Sequence, residues 1–245
     1  MSLKNLLKAI KEDQRVSPRV QMWLSRGGDL TLSENTAKLI TLQATTEPRE
    51  RSGSFSSSSR GNCHRQQALG YLGAETSPRV DTKLQNIFLD GHWRHLRWQA
   101  LLLETGVLTH MEVPWSMPHY RLKGTLDGVN LDEGWGFELK GANDNSYKGV
   151  VRNGPMHSHL MQIHTYMLGT GLKEFALIYE NKNTNEFTEF TIHQDDDVMD
   201  EVIDELVLLN DGVSDKELPP MLTECKITPD YQCQYRDVCP SAVWP

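Results

Sequence analysis

The chain has 245 residues, a formal net charge of −8, 38% hydrophobic residues and four cysteines. That apolar content suffices for a real core, and no run approaches the roughly 18 apolar residues needed to cross a bilayer. The amphipathic, charged start MSLKNLLKAIKED lacks a secretory apolar core, so the expected compartment is the cytoplasm, where cysteines serve as buried thiols or metal ligands rather than disulfides.

Charge is distributed unevenly. Residues 1–65 carry 11 Lys and Arg against 6 Asp and Glu, whereas residues 180–230 carry 3 against 15. A local basic surface can hold phosphates on an acidic chain, so composition neither requires nor excludes a DNA substrate.

In chain order, LKNLLKAIKED, SPRVQMWLS and SENTAKLITLQ have helical apolar spacing, the last opened by a Ser33 cap with Thr36 three residues on. EPRERSGSFSSSSRGN is polar and Ser-rich and reads as a linker or loop. NCHRQQALGYLG begins a helix, and TKLQNIFLDGHWRHLRWQALLLETG is a long one. The period then changes: THMEVPW, YRLKGTLDGVNL and WGFELKG read as strands, the last two joined by the turn residues Asp132, Glu133 and Gly134. HSHLMQIHTYMLGTG returns to helical spacing, and EFALIYE with EFTEFTIH forms a hairpin around Asn183-Thr184-Asn185. DDDVMDEVIDELVLLNDG is a helix with acidic residues where the helix dipole favours them. The remainder, from Pro219, is a Pro- and Cys-containing loop. This order predicts an α+β fold, a mixed sheet with helices packed on it and a helical N-terminal part.

In WGFELK the side chains alternate, so Phe137 and Leu139 point one way, Glu138 and Lys140 the other. Asp127 lies on the preceding strand, within reach of Glu138 across a tight turn. Two carboxylates beside a lysine suit a hard divalent cation such as Mg²⁺ or Mn²⁺, and equally suit an ordinary cross-strand ion pair on a solvated face. Lys148, Arg152, His157 and His159, which follow, are either a DNA-contacting segment or a solvated loop. Glu112 reads as edge-strand solvation, and Trp93 and Trp98 as core or helix-packing residues.

The Asp127 and Glu138-Leu139-Lys140 stretch resembles the PD-(D/E)XK nuclease superfamily. Gly91-His92-Trp93-Arg94-His95 fits the G-x-x-x-H element of its RecB-type branch, and Gln162 to Tyr166 fits that branch's Q-x-x-x-Y element. Gln162 and Tyr166, at i and i+4, share a helix face. The resemblance implies a restriction-endonuclease-like mixed sheet flanked by helices. His95, Asp127, Glu138 and the Leu139 carbonyl would hold Mg²⁺ or Mn²⁺, Lys140 would assist the attacking water, and Gln162 and Tyr166 would position the site. Between His92 and His95 as ligand, only motif spacing favours His95. The HSHLMQIHTYMLGTG segment and the hairpin after it are also similar to viral recombination exonucleases.

Cys63 precedes this core, and Cys225, Cys233 and Cys239 follow it within 15 residues of polar loop. Together with Ser57-Ser58-Ser59-Arg60 and Arg65, they resemble the iron–sulfur nucleases, the AddB nuclease domain and the CRISPR-associated RecB-like exonucleases. Those families hold a structural 4Fe–4S cluster on four thiolates, although here seven residues separate Cys225 from Cys233 where they place two. A Cys₄ zinc site is the competing arrangement.

The resemblance therefore implies a metal-dependent DNA exonuclease acting at DNA ends in recombination, repair or replication. A helical extension would occupy residues 1–60 and the nuclease domain residues 61–245. The rival expectations are a structure-specific endonuclease or CRISPR-adaptation processor, and a non-catalytic, cysteine-stapled DNA-binding subunit. Single- or double-stranded DNA is the expected partner, with homo-oligomers or recombination proteins as further candidates.

Overall fold

A computed structural model of the protein describes residues 14–46, 53–76, 82–222, 225 and 233–244. The helix expected over residues 3–13 lies outside them. A mixed sheet with helices on both faces is observed, as expected.

The sheet holds six strands: β1 (Phe55–Ser56), β2 (His110–Met117), β3 (Leu122–Asn130), β4 (Trp135–Ala142), β5 (Glu174–Asn181) and β6 (Phe187–His193). β4 lies inside the sheet, antiparallel to β3 over Gly128–Asn130 and parallel to β5 over its whole length after Trp135. β2 runs antiparallel along β3, β1 pairs in parallel with the start of β3, and β6 closes the far edge as the expected hairpin.

Seven helices lie among the described residues: α1 (Ser17–Ser25), α2 (Glu34–Thr45), α3 (His64–Tyr71), α4 (Thr82–Glu104), α5 (Asp144–Asn153), α6 (His157–Thr170) and α7 (Asp196–Asp215). Local chemistry sets their ends. Ser33 and Asp195 cap α2 and α7 by accepting the Thr36 and Val198 N–H groups, and Gly171 ends α6 in the left-handed region. The start of α1 is capped from a distance: the buried Glu189 carboxylate on β6 accepts the N–H groups of Arg15, Val16 and Ser17.

The alternation in β4 divides the core. Trp135, Phe137 and Leu139 join Ala176, Ile178 and residues of α1 and α4 on one face. The opposite face joins Phe175, Leu177 and Tyr179 to Ile163, Tyr166 and Met167 of α6. Each fully buried aliphatic or aromatic side chain contributes about 1.5–3 kcal/mol. Glu138 and Lys140 are thereby presented to α6, while α4 crosses the other face.

Three local expectations are corrected. The Ser-rich stretch is not wholly loop, because Phe55 is buried and extends the sheet beside Leu122. Residues 144–153, which include Lys148 and Arg152, form helix α5, capped by Asn143 and anchored by Tyr147 and Val150. Trp98 is core, but Trp93 is 56% exposed, because the first half of α4 lies outside the packed layers, with Ile87, Phe88 and Leu89 also exposed.

Candidate active site

β3 and β4 stop pairing at Gly128 and Phe137, so the next residues, Asp127 and Glu138, stand where the strands part. The Asp127 carboxylate fills the gap in the ladder: its Oδ2 accepts the Leu139 backbone N–H at 2.8 Å.

His95 reaches this point from α4. Its Nε2 lies 3.1 Å from the Leu139 carbonyl oxygen and 3.6 Å from Asp127 Oδ2. The Asp127 charge, followed by the Leu139 contact and the Glu138 charge, raises the His95 pKa against the opposing effect of burial. His92 is exposed and meets the Trp93 ring edge-on. Of the two histidines, His95 is therefore the one beside Asp127.

Glu138 is 3% exposed. Burial, then the Asp127 charge, lifts its pKa to about 7, with Lys140 opposing the rise. Lys140 Nζ sits 2.7 Å from Glu138 Oε1 and donates to Gln162 Oε1 at 2.8 Å. The Gln162 amide in turn donates from Nε2 to Glu138 Oε1 at 3.0 Å and to the Tyr166 hydroxyl at 2.6 Å. This network fixes the amide orientation, since a flip would turn its NH₂ toward an ammonium and its oxygen toward a carboxylate. Tyr166 hydrogen-bonds in turn to Ser57, and burial with the nearby carboxylates pushes its pKa well up. Trp115 meets the Tyr166 ring edge-on and lies so close to α6 that a Cβ on Gly169 would overlap the indole.

The structure thus brings together His95, Asp127, Glu138, Leu139, Lys140, Gln162 and Tyr166. One buried and one partly buried carboxylate, a carbonyl and an imidazole suit a hard divalent cation. Glu138 Oε2 is buried without a hydrogen-bond partner, an acceptor oxygen left for such an ion. Among the described residues no group of three or more His, Cys, Asp or Glu has metal-ligand spacing. Mg²⁺ commonly takes only one or two carboxylates and keeps several waters, so the donor set is compatible with it.

Several neighbours carried no sequence signal of their own. Gln99, one turn beyond His95, donates to the Asp127 carbonyl at 2.9 Å and to Glu112 at 2.7 Å. Glu112 occupies φ +49° in the middle of β2, a strained setting for a residue with a side chain, and it is bonded rather than merely solvated. Glu180 on β5 is buried and accepts from Arg94 at 2.7 Å, from Arg97, and from the Trp98 indole at 3.1 Å. These donors flank His95 and fix α4 against the sheet.

Cys63 sits at the start of α3, whose Arg65 donates to the carbonyls of Pro219, Cys239 and Ala242 at 2.9, 3.2 and 2.7 Å. The C-terminal segment is thereby held against α3. Local desolvation, then the charges of Cys233, Cys63 and Cys239, raises the Cys225 pKa. None forms a disulfide.

A scan of protein-family models finds no match, and neither does a search of curated proteins. Among solved structures, an alkaline exonuclease from Laribacter hongkongensis matches with a TM-score of 0.51 and 20% identity, over 68% of this chain and 90% of that one. Its complex with dAMP matches with a TM-score of 0.51 and 18% identity, over 67% and 89%. A phage-related exonuclease from Haemophilus somnus matches at 0.42 and 10% identity, over 62% and 81%. The first two establish that the chain shares its fold with an alkaline exonuclease. Among the described residues no helix is long and apolar enough to cross a membrane.

Proposed function

We propose that the chain is a divalent-metal-dependent deoxyribonuclease that hydrolyses phosphodiester bonds at DNA ends. The observation that carries the reading is Glu138, a buried carboxylate bound on one oxygen by Lys140 and Gln162 and unpartnered on the other. Nothing in a purely binding protein requires that arrangement beside Asp127 and His95. The choice of exonuclease over endonuclease draws support from the fold shared with an alkaline exonuclease.

In this reading His95, Asp127, Glu138 and the Leu139 carbonyl hold Mg²⁺ or Mn²⁺, which would polarise a phosphoryl oxygen and generate hydroxide from bound water near neutral pH. Lys140, tethered at two points, orients the attacking water and offsets negative charge as the bond to the leaving oxygen breaks. Gln162 fixes the ammonium and the carboxylate in one geometry, with Tyr166 fixing Gln162. At the other end, Cys63, Cys225, Cys233 and Cys239 bind a structural 4Fe–4S cluster, with zinc the alternative for the same thiolates. The reading draws support from Arg65, which ties the segment that carries Cys239 to the helix that Cys63 opens. The domain boundary near residue 60 belongs to the same proposal.

End-labelled linear and covalently closed circular DNA, incubated with Mg²⁺ or Mn²⁺, test the function. Degradation of linear DNA alone is expected; cleavage of circles would replace the exonuclease with an endonuclease, and no cleavage of either would overturn both. A brown protein whose visible absorbance disappears on Cys239→Ser is expected for the cluster, whereas colourless protein with stoichiometric zinc would overturn it.

A further inference from the structure

His159, in the first turn of α6, has no role in the mechanism above. It stands three residues before Gln162, on the same helix face. Its Nδ1 lies 2.6 Å from the Tyr179 hydroxyl, whose oxygen also accepts the Met156 backbone N–H at 3.1 Å. Tyr179 is the residue on β5 that pairs with Lys140 on β4, so both side chains rise from the same face of the sheet. His159 is thus tied to the residue next to the ammonium.

The Tyr179 oxygen already accepts the Met156 N–H, so the arrangement that also gives the phenol proton an acceptor has it donated to His159 Nδ1. In that arrangement the neutral ring carries its own proton on Nε2. Burial, then the Lys140 charge, lowers the His159 pKa to about 4, so the ring is uncharged near neutrality. His159 is half-buried, and Nε2 has no hydrogen-bond partner among the described residues, nor is it a buried orphan. An oriented neutral donor thus stands open on the face of the sheet that carries Lys140.

We infer that His159 is a substrate-binding residue whose Nε2–H donates to a non-bridging phosphate oxygen of the strand being cut, beside Lys140. This inference rests on the nuclease reading and deepens it. A neutral donor can grip a phosphate next to Lys140 without the repulsion that a second cation would bring. Tyr179 acts through it as a positioning residue.

Steady-state cleavage of end-labelled linear DNA with Mg²⁺ tests the contact. His159→Ala is expected to raise KM about 10- to 100-fold, the effect of losing a hydrogen bond to a charged group, with little change in kcat. His159→Gln, which offers an amide N–H at similar reach, should recover most of the loss. The discriminating substrates carry a neutral methylphosphonate at single linkages around the cleavage site. One such linkage should weaken wild-type protein as much as His159→Ala does, and should weaken the alanine variant no further. An unchanged KM in His159→Ala would overturn the inference and leave the nuclease intact, and so would penalties from variant and substrate that simply add. Wild-type protein that cleaves no DNA with either ion would overturn both readings.

Discussion

Where β3 and β4 part, Glu138, Lys140, Gln162 and Tyr166 bond to one another across a strand and a helix, and the Gln162 amide has its hydrogen bonds specified from both sides. Where the C-terminal segment meets α3, the guanidinium of Arg65 donates to three backbone carbonyls. The first region is a closed network fixed by the core beneath it. The second is a contact between two chain segments, in which Arg65 supplies three hydrogen bonds and buried Tyr235 lies against Gly70 of α3. Preorganisation at the carboxylates is built into the sheet, while order at the cysteines would be completed by the proposed cluster.

The strongest test of that contrast is Lys140→Ala, expected to reduce DNA cleavage by at least about 10³-fold while shifting the thermal midpoint little. A large loss of stability instead would mean that the network serves the fold rather than the chemistry. Arg65→Ala should do the reverse. Losing three charge-assisted hydrogen bonds is expected to cost about 3 kcal/mol in thermal or urea unfolding, with cleavage largely kept at temperatures where the variant is folded. If cleavage falls as far as it does for Lys140→Ala, the two regions are not separable.

A pH dependence sharpens the comparison on the catalytic side. Because the folded state holds the His159 pKa near 4, below the ordinary 6.5, the unfolded chain binds the extra proton between those values. Stability contributed by neutral His159 is complete above pH 6.5 and is lost as pH falls toward 4. The thermal midpoint of wild type should therefore fall relative to that of His159→Gln with acidification through that window, and parallel curves would refute the assignment. The smallest expected effect is at Glu112: the glycine variant should be more stable than the alanine variant by about 1 kcal/mol, since only glycine occupies φ +49° without strain. Equal midpoints would show that the backbone relaxes.

What the sequence made legible has a physical pattern. The alternation Phe137, Glu138, Leu139, Lys140 is a period-two signal, and it marked both the strand and the face on which the charged pair emerges. The hairpin and the capped helices were readable for the same reason, each carrying its periodicity or cap in consecutive residues. Helix α5 was not, because it is short and its apolar side is only Tyr147, Val150 and Val151 among polar residues. β1 was hidden because two residues in a run of serines cannot show alternation. Glu180 and Gln99 act through partners distant in the chain, and the strain at Glu112 is a backbone property invisible in composition. The G-x-x-x-H spacing favoured His95 over His92, but their surroundings became distinguishable only once α4 was docked.

The bond from the Leu139 N–H to the Asp127 carboxylate has a consequence for how this protein can change over generations. Replacement of Asp127 by alanine would remove a charge and at the same time open the sheet where the two strands diverge, so drift at that position is penalised twice. Asparagine would keep the acceptor while surrendering the charge. On the nuclease reading proposed above, a descendant that had abandoned catalysis would retain the fold most easily by way of Asp127→Asn, and a sheet intact around that asparagine would be the trace of a lost enzyme.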